Sequence, residues 1–103
     1  MAANTKVSNL QPKPHQGQLL QEIAVSTSAV SFTNNFDIDS LYMLFEVKTA
    51  SVYVTFDGST PSATNGHSYA AGYREFWSRN QAIFAKFIQN SGAARVIVSP
   101  FTD

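Results

Sequence analysis

From residue 19 to the C-terminus, the apolar residues of this chain recur at every second position, and that spacing limits the fold more than any other feature. Side chains alternate across a β-strand, whereas a helix repeats its apolar face at every third or fourth residue. Ile23 and Val25 alternate with polar neighbours, and Val30 and Phe32 repeat the pattern after Ser26-Thr27-Ser28. Across 41–49, Met43, Phe45 and Val47 fall on one face, with Tyr42, Leu44, Glu46 and Lys48 on the other. After the short Ala50-Ser51 connection, Val52, Val54 and Phe56 alternate with Tyr53 and Thr55, a run rich in β-branched and aromatic residues. Between Tyr73 and Ser78, Tyr73, Glu75 and Trp77 share one side and Phe76 takes the other. Residues 95–99 read as a last strand, followed by Pro100, which an edge position would tolerate. Only 81–89 is ambiguous, fitting either a helix or a strand buried on both faces.

Turn signals separate these runs: Asn34-Asn35, Asp57-Gly58, Asn65-Gly66, Ala71-Gly72 and Asn90-Ser91-Gly92. Seven or eight short strands at regular spacing predict an all-β fold, a small β-sandwich or barrel, with a jelly-roll-like sandwich the most natural version. The 103 residues suffice for one domain. Residues 1–18 read as an extended N-terminal arm and 19–103 as the sandwich. Pro12, Pro14 and Gly17 keep the arm out of a helix. It is either a frayed terminus or a segment that orders against a partner, with Val7 and Leu10 as its anchors.

Charge and composition narrow the function classes. Seven basic residues balance seven acidic ones, and the basic residues never cluster, so direct nucleic-acid binding is not expected. No apolar run approaches the length of a membrane span, and the N-terminus carries no apolar stretch of signal-peptide length. A membrane partner is therefore not expected, and synthesis in a cytoplasm is. Charged residues make up 14% of the chain, against about 25% in ordinary globular domains. Few charges would need desolvating at an interface, which favours a homo-oligomer or a larger assembly.

Catalytic chemistry finds little to build on. With no cysteine, thiolate metal sites and cysteine nucleophiles are excluded. Ser40, His67 and Asp57 supply the residue types of a hydrolytic triad, but no nucleophile-elbow pattern joins them. Asp37 and Asp39 share a face in an extended segment, a spacing better explained by local capping of the backbone. Asp57-Gly58-Ser59 begins like a calcium loop but lacks the later carboxylate, so it reads as a turn. The expectation is a non-enzyme with no cofactor. Tyr69, Tyr73 and Trp77 lie close in sequence and have three readings: core packing, interface anchors or a sugar-stacking platform.

The segment VYVTFDGSTPSATNGHSYAAG (52–72), followed by an alternating strand and the final Ala-Arg-Val-Ile-Val, resembles small structural proteins of tailed-phage virions. There a V-x-V-T-F-D-G strand leads into a Thr/Pro/Ser loop, a Gly-containing turn and an Ala-Gly turn. The resemblance covers residues 52–101 and implies a jelly-roll-like capsid decoration, or cement, protein on the outer surface of the virion. Such a protein bridges neighbouring major capsid subunits, and the resemblance brings no catalytic residues with it. A head–tail adaptor, a fibre-base component and a carbohydrate-binding surface module are the alternatives. The expected partner contacts are Val7, Leu10, Pro12 and Pro14 in the arm, Thr60 and Pro61 in the loop, and Tyr69, Tyr73 and Trp77.

Overall fold

The alternating runs become strands in the computed structural model, which describes residues 13–15, 17–18 and 20–102. In chain order these are β1 (Lys13–Pro14), β2 (Gln21–Val25), β3 (Tyr42–Lys48), β4 (Val52–Thr55), β5 (His67–Tyr69), β6 (Arg74–Ser78), a helix α1 (Arg79–Phe84), β7 (Lys86–Gln89) and β8 (Ala94–Thr102). Two antiparallel sheets form a small sandwich. One runs β1-β8-β3-β6, with β2 also on β8; the other runs β5-β4-β7.

Its topology is that of a jelly roll. Val30, the remnant of the expected 30–32 strand, makes a single antiparallel bridge to Phe87 on β7. Counting that bridge, the chain pairs as one long hairpin would: β2 with β8, Val30 with β7, β3 with β6, β4 with β5. Rolling such a hairpin into two layers adds β8 against β3 and β7 against β4, and β1 extends the β2 side of β8.

Alternate residues of β3, β4 and β8, with single residues from β6 and β7, supply most of the core. Met43, Phe45 and Val47 from β3, Trp77 from β6, and Ala94, Val96 and Val98 from β8 meet Val52, Val54 and Phe87 of the other sheet. Phe45 stacks on Trp77 at 3.8 Å between ring centroids, and on Phe87 across the layers at 5.7 Å. Phe32 closes the β7 side edge-on to Phe87 at 5.3 Å. The 49–51 crossing between the sheets is short, and Thr49 in it takes a φ of 79°, uncommon for a β-branched residue.

Two local outcomes refine the strand pattern. The ambiguous 81–89 stretch divides into α1 and β7. Ser78 caps the helix: its Oγ accepts from Gln81 N–H, and Gln81 Oε1 accepts from Ser78 N–H. Pro100 is not at an edge. It lies inside a nine-residue β8, between β1 and β3. Its carbonyl accepts from His15 N–H on the β1 side, so its missing donor also faces that side and β3 loses no bond.

Candidate protein-binding face

The outer face of the five-stranded sheet is set by register. Pro14, Phe101, Tyr42 and Ser78 form one row across β1, β8, β3 and β6. Ser99, Leu44 and Phe76 form the next, then Glu22, Ile97, Glu46 and Arg74, and finally Ala24, Arg95 and Lys48. The first two rows are mainly apolar and the last two mainly charged. Phe76, 49% exposed, meets Phe101 edge to face at 5.3 Å across β3, so the two rings and Leu44 form one surface. Beside it opens a groove of about 300 Å³, with Pro14, Leu20, Leu44, Ser99, Pro100 and Phe101 among its lining residues. Leu20 at its rim is 54% exposed.

At the charged end, Glu22 accepts from Arg95 Nε at 2.7 Å and lies 3.8 Å from Lys48 Nζ. The Arg95 hydrogen bond holds the Glu22 carboxyl below its usual value, and the Lys48 charge adds to the effect. Glu46 and Arg74 face each other across β3 and β6.

A second feature closes the open side of the sandwich between β5 and β6. The Glu75 carboxylate accepts from Trp77 Nε1 and from the hydroxyls of Tyr73 and Tyr69. The two tyrosine rings stack in parallel at 4.8 Å. Burial, then the Glu75 charge, pushes the Tyr69 hydroxyl up to about 12. This clasp ties one sheet's edge to the other's, and its donors are spent on its own carboxylate.

The expected contact residues do not form one surface. Val7, Leu10 and Pro12 lie outside the described residues. Pro14 sits at the apolar end of the outer face, with its strand paired to β8 of its own chain. Thr60 is exposed in the 56–66 loop, but Pro61 is buried beneath it. Trp77 is 1% exposed and packed in the core, with only Tyr73 and part of Tyr69 reaching the surface. Trp77 and Pro61 are therefore packing residues, and the three aromatics make no exposed platform for a sugar ring. Alternation placed Trp77 with Glu75 on one side of β6, and that side proved to be the inner one.

The paper triad separates as well. Ser40 is buried with its Oγ 2.6 Å from His15 Nδ1, Asp57 is held by Ser59, and His67 is exposed on β5. The Ser40–His15 contact had no sequence signal; the pairing of β1 with β8 creates it. Asp37 Oδ1 accepts from Asp39 N–H at 2.8 Å, the local cap expected of that pair. Among the described residues no group of three or more His, Asp or Glu side chains is placed to hold a metal. The outer face was legible in outline, since Tyr42, Leu44 and Phe76 occupy the faces opposite Phe45 and Trp77. Phe101 was missed because the last strand was ended before Pro100.

No family model, curated protein or solved structure matches this chain.

Proposed function

We propose that this chain is a structural binding protein of a tailed-phage virion, a capsid decoration protein that uses the apolar end of its outer sheet face to clamp neighbouring shell subunits. The observation that carries the reading is that face. A sandwich needs only one apolar face per sheet, and a solvated outer face is ordinarily polar along its whole length. Here Tyr42, Leu44, Phe76 and Phe101 gather at one end beside a groove able to take an inserted side chain. Contiguous exposed apolar surface of this kind marks interaction sites, and aromatic residues in it serve as anchors. The virion setting rests on the resemblance of residues 52–101. Bridging works by multiplicity: modest contacts to two or three subunits add up because each raises the effective concentration of the next.

Purified protein mixed with undecorated phage shells tests this. Binding should saturate at a fixed ratio to shell subunits and be visible as added density by electron microscopy. Leu44→Lys should weaken it by about thirtyfold or more, the loss expected for a central anchor. Binding at a single vertex or on a tail would move the role to an adaptor or fibre component. Full shell binding by Leu44→Lys would remove the face from the interface.

A further inference from the structure

Among the described residues, β6 ends its sheet, with no strand paired to its outer edge. Val47 N–H donates to Tyr73 O at 2.9 Å, and antiparallel ladders alternate, so the Tyr73 carbonyl and the backbone groups of Glu75 and Trp77 face β3, while Tyr73 N–H turns to Ala70 O. The N–H and C=O of Arg74 and Phe76 therefore point away from the sheet, where no described strand lies. Natural edges are usually guarded by proline, lysine, bulges or inward charges. β6 has no proline or lysine and runs in unbroken register with β3. Its one inward charge, Glu75, is already satisfied by Trp77, Tyr73 and Tyr69 and does not bar an incoming strand.

We infer that β6 pairs antiparallel with β6 of a second copy of this chain, about a twofold axis at Phe76. Charge chooses both occupant and register. With the axis at Phe76, Phe76 faces Phe76 of the partner subunit, Arg74 faces the partner's Ser78, and Glu75 faces the partner's Trp77. No like charges oppose. Moving the axis to Glu75 or Arg74 sets two glutamates or two arginines against each other, a destabilising arrangement. At the centre, each Phe76 N–H donates to the other's carbonyl, and the two exposed rings form a cross-strand aromatic pair. The helix starting at Arg79 limits the pairing to the length of β6. The apolar rows of the two outer faces, Phe101, Leu44 and Phe76, then run continuously across the axis. The contact is isologous, as closed dimers require. It leaves the outer face itself open to another partner.

Sedimentation equilibrium and amide hydrogen exchange on the full chain, each over a range of concentrations, test this together. The expected result is a monomer–dimer equilibrium in which exchange at Arg74 and Phe76 slows as the dimer forms. Phe76→Pro removes an outward N–H and none of the bonds to β3, so it should lose the dimer while keeping the β-sheet circular dichroism. Phe76→Thr, which keeps the N–H, should dimerise more weakly than the parent but more strongly than the proline variant. A monomer at every concentration would overturn the inference, as would a dimer in which both amides exchange freely. Protection of those amides in a monomer, independent of concentration, would mean that the chain covers its own edge, and would overturn it too.

Discussion

On β3 the residues that face the other sheet, Met43, Phe45 and Val47, are closed to solvent, while Tyr42, Leu44, Glu46 and Lys48 on the opposite side stay half-exposed. The inner side is apolar throughout; the outer side passes from aromatic to charged within seven residues. Folding explains the first pattern, because an inner position left polar would cost the desolvation of an unpaired group. It does not explain the second, since water accepts any of these outer side chains. What folding leaves unexplained on the outer face is where a selected interaction is to be sought.

The largest effect should come from breaking that contrast on β3 itself. Phe45→Ala removes the ring that stacks on both Trp77 and Phe87 and should cost about 3–5 kcal/mol, read as a lower midpoint in denaturant. Leu44→Ala, one residue away, should cost under about 1 kcal/mol while reducing shell binding. Equal losses from the two would make the outer face structural and remove the basis for calling it a binding surface.

The same contrast of forced and free positions recurs in the 56–66 loop. Gly66 has φ 118°, and a Cβ there would sit 2.5 Å from Val54 O and 2.9 Å from Thr55 Cγ2. At Gly58, φ is 87° but nothing lies within 4 Å of the same atom. Gly66→Ala should therefore cost about 2 kcal/mol or more, and Gly58→Ala about 1 kcal/mol from the left-handed backbone alone. Thermal melts of the two variants give the comparison directly. A Gly58 penalty matching that of Gly66 would show that backbone conformation, not close approach, sets both.

A third test separates the rim from the open face. Glu75→Ala leaves Trp77 Nε1 without its acceptor in a site closed to solvent, which should cost about 1–3 kcal/mol. Glu75→Gln keeps an acceptor and should lose less. Neither should alter shell binding, because the clasp faces away from the outer rows. A binding defect at unchanged stability would extend the interface to the rim.

Much of this was legible in the sequence, for a physical reason. Burial of one side of a strand demands alternation, so 42–48, 52–55 and 74–78 announced themselves and their core residues. Positions set by long-range pairing did not. The alternation of Val30 and Phe32 suggested a strand, but nothing local reveals that its pairing shrinks to one bridge from Val30 to Phe87, and nothing local brings His15 to Ser40. The Ser78–Gln81 capping box was readable in principle, as a serine three residues before glutamine, but the alternation of 83–88 competed with it. Pro100 misled because a proline inside a sheet is normally an edge signal; only the loop departing at His15 makes its missing donor harmless. On the outer face, alternation set Tyr42, Leu44 and Phe76 opposite the core residues but missed Phe101, and their gathering at one end depends on cross-strand register, which periodicity does not supply.

The smallest effect concerns the rim in alkali. Tyr69 titrates near 10 in an unfolded chain but is held up to about 12 in the fold, first by burial and then by the Glu75 charge; Tyr73 is raised in the same direction, chiefly by its hydrogen bond to Glu75. Above pH 10 the unfolded chain therefore releases protons that the folded chain keeps. The stabilising contribution is fully present below that pH and is lost as the pH rises through 12. Stability measured by denaturant titration should fall across this interval, and Tyr69→Phe should flatten the fall by removing one of the two groups. Glu75→Gln, which removes the neighbouring charge, should flatten it as well, but less, because burial of Tyr69 remains. An unchanged slope in Tyr69→Phe would place the alkaline loss elsewhere in the molecule. It would also mean that the hydroxyl is solvated and the clasp is open in solution, making the rim, like the outer face, a surface with donors to offer.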